Sequence, residues 1–318
     1  MSDKRVAVIG ASGFIGRYVV KRLAARGDVI AAVMRDIDAG MILQPMGDVG
    51  QIARIRASIA DEKRLAAALE GSDAIVNLAG ILYERGAQRF ETVHHEGARR
   101  VGRIAADIGA KRVIHISALG AAAGSPSAYA RSKAAGEAAI AEAFPAVTIL
   151  RPSIVFGPED DFFNRFGAMA QSLPALPLIG GGKTLFQPVY VGDVAAAVVA
   201  ALDDPATTGG IYELGGPRVY SFRELMRIVL EETQRKRPLI PVPWALAELM
   251  GMVLQLLPAP LLTRDQVRLL RSDNVVSPGA KTLQDLGIQP TAIEAILPTY
   301  MDRYRRGGWF GAHRMSSR

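Results

Sequence analysis

The residues best placed to do chemistry begin at Gly10. The run Gly10–Gly16 (GASGFIG) follows a short apolar segment, Arg5–Ile9, and opens a helical pattern. Glycine at the first position permits a tight turn, at the second lets the backbone approach a ligand closely, and at the third lets helix pack on strand. The free N–H groups and positive dipole end of the helix then face an anion. A strand–turn–helix with these spacings is a pyrophosphate cradle, and it predicts a dinucleotide. Arg35, followed by Asp36, stands at the end of the second strand. An acidic residue there would bond a ribose 2′-hydroxyl, whereas an arginine can pair with a 2′-phosphate. Arg35 comes first, which favours NADP(H); an ordinary surface charge is the plainer alternative.

Positioning these groups takes a sheet. Arg5–Ile9, Val29–Met34, Ile52–Ser58, Ala74–Leu78, Val113–Ile116 and Val147–Leu150 read as strands. Between them, Arg17–Arg26, Glu62–Glu70, Phe90–Ile108 and Ala128–Phe144 read as helices. Apolar strands joined by helices predict an α/β fold, a doubly wound parallel sheet of Rossmann type with right-handed crossovers. After Arg151-Pro152 the pattern loosens and glycine and proline become frequent. The expected organisation is a nucleotide-binding domain over residues 1–155 and a smaller, mostly helical C-terminal lobe over 156–318, interleaved with the sheet.

Composition removes several classes. With no cysteine there is no disulfide framework, thiolate zinc site or iron–sulfur ligand set. His94, His95, His115 and His313 lack metal-ligand spacing, so no metal is expected. No basic recognition helix or nucleic-acid motif is evident. Net charge is +7, with Arg303, Arg305, Arg306, Arg314 and Arg318 clustered in the tail. That tail is either a solvated terminus or a contact for an acidic partner or anionic lipid; Tyr304, Trp309 and Phe310 beside it suit an interface. The first strand starts almost at once, without a signal or transit sequence, which predicts a chain that stays on the cytoplasmic side. Trp244–Leu262 is the longest apolar stretch, but Glu248, Pro258 and Pro260 make it a poor membrane span. It reads either as a core helix or as a surface that packs on a partner or the membrane interface.

Tyr129 and Lys133 lie four residues apart on one helix face, and Ser117 precedes Tyr129 by twelve residues at a strand end. With the G-x-x-G-x-x-G spacing, Asn77–Gly80 (NLAG), Arg151–Gly157 (RPSIVFG) and Pro188–Ala195 (PVYVGDVA), the chain resembles the extended and atypical short-chain dehydrogenase/reductase superfamily. The resemblance implies that Tyr129 is a general acid or base, that Lys133 lowers its pKa and holds the nicotinamide ribose, and that Ser117 orients a substrate oxygen. It carries cofactor contacts to Gly10, Ser12, Gly13, Phe14, Ile15, Gly16 and Arg35, to Ser58, Ile59, Leu78, Ala79 and Gly80, and to Ser117, Tyr129, Lys133 and Pro152.

There are departures from the superfamily pattern. Ala118 and Leu119 follow Ser117 where relatives show hydroxyl residues. Ser58-Ile59 replaces an acidic residue, and His94 and Arg100 stand where asparagines are common. Either Ala118 occupies the serine position and catalysis has relaxed, or Ser117 itself works.

Three further stretches, Gln44–Gln51 (QPMGDVGQ), Phe186–Asp193 (FQPVYVGD) and Leu262–Val267 (LTRDQV), make the chain similar to the Rossmann-fold accessory subunits of respiratory complex I, in a bacterial form. This implies a non-catalytic subunit that binds NADPH structurally. Its partners would be other complex I subunits of the peripheral arm near the quinone site and the membrane surface. Its place would be peripheral, on the cytoplasmic face of the bacterial inner membrane. A sugar-nucleotide epimerase, dehydratase or reductase using Tyr129 and Lys133 is the alternative.

Overall fold

A computed structural model describes residues 4–257 and 260–307. Trp309, Phe310, His313, Arg314, Arg318 and Pro258, named above, lie outside the described residues. The chain forms two compact units. The first holds residues 4–152 with Val191–Leu214 and Ser277–Gln289; the second holds Ser153–Tyr190, Gly215–Val276 and the described residues from Pro290.

The first unit is built on a parallel sheet. Its strands are β1 (Arg5–Ile9), β2 (Val29–Met34), β3 (Ile52–Arg56), β4 (Ala74–Asn77), β5 (Arg112–Ile116), β6 (Thr148–Pro152) and β11 (Ile211–Leu214). Their order is β11-β6-β5-β4-β1-β2-β3. After β3 the chain returns past β1 to form β4, so winding reverses between β1 and β4. Ligands of such sheets bind outside the carboxyl ends of the strands at that reversal. The glycine loop leaves β1 there, and Leu78–Gly80 leaves β4 beside it.

Helices cover both faces, which is why the strands read as unbroken apolar runs. Alternate residues Ala7, Ile9, Ala31, Val33 and Ile75 meet Leu65, Leu69, Val101 and Ile140 in one buried cluster. Those last four come from α2 (Glu62–Leu69), α3 (Glu96–Asp107) and α4 (Ala128–Ala143). α1 (Phe14–Arg26) and α6 (Val191–Asp203) pack together elsewhere in the unit, with Val19, Val20, Leu23, Val194 and Val198 wholly buried. Asp61 and Ser127 cap α2 and α4, accepting from Arg64 N (3.1 Å) and Ala130 N (3.3 Å). The Gln44–Gln51 stretch serves the fold directly. The Gln51 amide donates to Ala24 O (2.8 Å) and Asp28 O (3.0 Å), tying down the end of α1.

The second unit pairs short strands: β7 (Val155–Phe156) with β10 (Val189–Tyr190), β8 (Leu176–Ile179) with β13 (Leu239–Val242), and β9 (Leu185–Phe186) with β12 (Tyr220–Ser221). Around them lie α5 (Phe162–Ser172), α7 (Phe222–Glu232), α8 (Trp244–Leu254) and α9 (Arg264–Leu269). Phe156, Phe163, Phe186 and Phe222 centre its core. Asp160 starts α5, accepting from the Phe163 amide (2.6 Å) and the Tyr300 hydroxyl (2.5 Å).

Candidate functional site

β1 delivers the chain into Gly10, whose N–H donates to Val33 O at 2.9 Å. Its φ of +82° is left-handed backbone that favours glycine. A Cβ on Gly10 would also come within 3.3 Å of the Leu78 carbonyl carbon, so the β1 and β4 loops lie against each other. Gly13 caps α1 without a side-chain hydrogen bond. The amides of Phe14, Ile15 and Gly16, which a helix leaves without internal partners, therefore have no side chain capping them. A Cβ on Gly16 would sit 2.3 Å from Gly10 O and 2.6 Å from Ala11 O. Glycine alone lets α1 start this close to β1. Arg17 Nε donates to Ser12 O (2.9 Å) and holds the loop from behind. The cradle suits a pyrophosphate.

Arg35 is exposed just past β2. The Asp36 carboxylate is already engaged: Oδ1 accepts the amides of Asp38 (3.0 Å) and Ala39 (3.4 Å). Ser58 Oγ accepts the Ala60 amide (3.2 Å). The Ile59 side chain is only 7% exposed and packs in the core cluster, where a Cβ on Gly97 would lie 2.9 Å from it. An apolar residue in place of an acidic one is drawn inward.

After β4, Leu78 and Ala79 are half-buried and Gly80 is exposed. Asn77 Oδ1 accepts the Ala79 amide (3.2 Å), and its Nδ2 donates to His115 Nδ1 (3.1 Å). The Ile81 amide donates to His94 Nε2 (3.0 Å). Since an amide can only donate, Nε2 is the acceptor and the His94 proton sits on Nδ1, facing Ser132 Oγ at 2.8 Å. Ser132 Oγ in turn donates to Tyr129 O (2.7 Å). His94 thus latches the β4 loop to the helix that carries Tyr129 and Lys133. Burial, then the nearby Lys133 charge, pushes it down to about 3, so it is neutral. His94 rises from a π-helical turn, Glu91–His95. Its ring stacks on Phe90 (5.3 Å) and meets Tyr129 edge-on (5.6 Å).

Lys133 is buried, and its ammonium donates to Ile116 O at 2.8 Å. Burial pushes it down to about 8, opposed by Glu137. Glu137 accepts twice from Arg151 (2.9 and 2.6 Å), and Arg151 also faces Glu213 at 3.6 Å. Burial raises the Tyr129 phenol to about 12. The rings of Phe90 and His94 flank the phenol. Ser117 is 4% exposed, and its Oγ has no hydrogen-bond partner among the described residues. A buried hydroxyl left so costs roughly 1–3 kcal/mol until something bonds it. An uncapped glycine cradle and an orphaned hydroxyl beside Tyr129 and Lys133 fit a dinucleotide. Pro152 closes the set at the end of β6, its carbonyl accepting the Leu119 amide (2.9 Å).

Sheet order, cradle and Tyr–Lys–Ser group together define a class of nucleotide-binding protein. The chain belongs to the NAD-dependent epimerase/dehydratase family, whose model matches residues 6–215. Within that class it is 38% identical, over 95% of its own length and 78% of the relative's, to the mitochondrial NADH dehydrogenase [ubiquinone] 1 alpha subcomplex subunit 9 of Arabidopsis thaliana. It is 31% identical to the ceramide reductase of Caulobacter vibrioides, over 75% of this chain and 73% of that one. Among solved structures it is similar to a dTDP-glucose 4,6-dehydratase from Streptomyces venezuelae with NAD bound. That match has a TM-score of 0.72 at 23% identity, over 97% of this chain and 99% of the other, and it speaks for the fold.

His94 and the Glu137–Arg151–Glu213 ladder are the site residues that spacing does not reveal. His94 stands out in the sequence only as a departure from the superfamily pattern.

Proposed function

We propose that this chain is an accessory subunit of respiratory complex I that holds NADPH as a structural group. It docks on the peripheral arm near the membrane, on the cytoplasmic face in a bacterial cell. The near full-length similarity to alpha subcomplex subunit 9 carries this reading. The Gly10–Gly16 loop holds the pyrophosphate and Arg35 the 2′-phosphate, while Lys133 and Ser117 meet the nicotinamide half. When bound, the dinucleotide supplies binding energy: a ligand of the native state stabilises it by mass action, about 2.7 kcal/mol at a hundredfold excess over Kd. Purifying a tagged chain from detergent-solubilised membranes tests this. The other complex I subunits and one NADPH per chain are expected to come with it. A chain recovered only as a free soluble species, or with no nucleotide, overturns it.

A second reading is a reductase, epimerase or dehydratase. It is favoured by the orphaned Ser117 hydroxyl, a place for a substrate oxygen, and by the similarity to ceramide reductase. Its signature is NADPH turnover with keto lipids or nucleotide sugars that Tyr129→Phe abolishes while bound nucleotide is retained.

A further inference from the structure

The apolar stretch after Pro243 resolves into α8, and most of it faces solvent. Leu246, Leu249, Val253 and Leu256 follow at helical spacing, with Met252 and Leu257 widening the same stripe. These six side chains are between 44% and 81% exposed. The opposite face is small and buried. Ala247 is fully covered, and a Cβ on Gly251 would lie 2.9 Å from Arg264 N, so α9 lies directly against it. Glu248, the one charged side chain of α8, is tied to Arg271 at 2.8 Å. A helix apolar on every side belongs in a core or against lipid.

We infer that α8 lies in the interface of an anionic bilayer, with its aliphatic stripe among acyl chains and the arginines of α9 on the headgroups. Three features favour lipid over a protein partner. The stripe is aliphatic apart from Met252 and offers no hydrogen-bonding group, whereas protein interfaces carry about one hydrogen bond per 100–200 Å² and favour aromatic anchors. It is also narrow against the roughly 20–30 residues a side of a standard protein interface. The sequence flanking it is cationic: between Arg235 and Arg271 the chain holds six basic and two acidic residues, with Arg264 and Arg268 on α9. Arg271 lies over the Trp244 ring at 5.4 Å, a tryptophan and a cation together at the head of the apolar helix. That pairing suits the headgroup level. With 11 residues α8 is about 16 Å long, half a hydrocarbon core, and no described helix is long and apolar enough to cross a membrane. It must lie in the plane.

Lipid attachment rests on the membrane-side docking proposed above only for its cellular setting, and the two are tested apart. The full-length chain is floated with vesicles of phosphatidylcholine alone or with phosphatidylglycerol added. Flotation with the anionic vesicles is expected, weaker on neutral ones and weaker in high salt. Leu249→Glu with Val253→Glu should lower partitioning roughly 100-fold, since each side chain kept from the acyl region forfeits a factor of about ten. Arg264→Glu with Arg268→Glu should lower binding to anionic vesicles at least about fivefold per arginine and leave neutral vesicles little changed. Unchanged thermal stabilisation by NADPH shows that each variant is folded. No flotation on either vesicle overturns the inference, as does flotation unaffected by the leucine and valine changes. A stripe that instead holds two copies together, seen as a dimer lost in the double variant by light scattering, also overturns it. Co-purification with complex I without flotation would leave the proposed function standing and remove this one.

Discussion

Replacing Gly16 by alanine sets two known effects against each other, and the structure decides which wins. Alanine favours a helix over glycine by about 1 kcal/mol. Against this, the new Cβ would stand 2.3 Å from Gly10 O, 2.6 Å from Ala11 O and 2.8 Å from Ala11 C. These are backbone atoms, held by β1 and by the Gly10 N–H bond to Val33 O. Relief requires α1 to retreat by about 1 Å, and overpacking against backbone that cannot rotate away falls at the upper end of the usual range, about 2–3 kcal/mol, more than the propensity gain. The net loss of roughly 1–2 kcal/mol lowers the melting temperature by about 2–8 °C. It also draws the first-turn amides from the phosphates, and each charge-assisted hydrogen bond lost weakens binding by roughly 10- to 150-fold.

Gly13→Ala is the matched control. Its Cβ would meet only Gly10 O, at 3.2 Å, and its φ of −71° suits any residue. Stability should stay within about 0.5 kcal/mol, while the methyl enters the space where the pyrophosphate approaches. Thermal melts without nucleotide and calorimetric titration with NADPH read the two effects separately. A Gly16→Ala chain as stable as the parent would refute the packing account, and a Gly13→Ala chain with the parental Kd would refute the cradle.

Arg35→Glu is expected to weaken NADPH at least tenfold more than NADH, through a lost phosphate pairing and new repulsion; equal losses in parallel titrations would remove Arg35 from the 2′-phosphate. Ser117→Ala deletes a buried hydroxyl that has no partner among the described residues. The nucleotide-free melting temperature should hold or rise while NADPH affinity falls, and a lower one would show the hydroxyl is bonded within the protein. His94 titrates at about 3 when folded, against 6.5 for a free histidine. The unfolded chain therefore takes up the proton first: this group's stabilisation is complete above pH 6.5 and is lost as pH falls toward 3. Urea melts at pH 7 and pH 5 should show the parent losing about 2 kcal/mol more than His94→Gln, and matching losses would contradict a buried neutral ring.

Much of the first unit was legible because central strands such as β1, β2 and β4 are buried on both faces and the helices present apolar faces to them. Arg5–Ile9 and Val29–Met34 occur as the pattern predicts. Helix α1 begins at Phe14, three residues before the expected Arg17, because the glycine loop itself turns into the helix. The expected helix Phe90–Ile108 divides into the π-helical turn Glu91–His95 and α3, a wider turn that projects His94 toward Ile81. No local periodicity encodes that, since the partners of His94 lie 13 and 38 residues away. Strand β11 is hard to read for a similar reason. It has four residues, one of them Glu213, and it earns its place by pairing with β6 far back in the chain. The apolar stretch after Pro243 was readable as apolar, but its exposure follows only from which neighbours cover α8.

The position of β11 has a consequence for how the protein is made. Among the described residues its ladder is the only neighbour of β6 on that side of the sheet, and Glu213 is itself pinned by the Ser277 amide (2.7 Å) and Lys281 O (2.8 Å). A ribosome must therefore release the chain well past Lys281 before the nucleotide-binding unit can close. Until then Thr148–Pro152 is an open strand edge with apolar side chains, a template for pairing with the wrong partner. A gene cut after residue 155 would encode such an edge permanently and should yield aggregate. The nucleotide-binding unit is better isolated by replacing the Ser153–Tyr190 and Gly215–Val276 excursions with short linkers than by truncation.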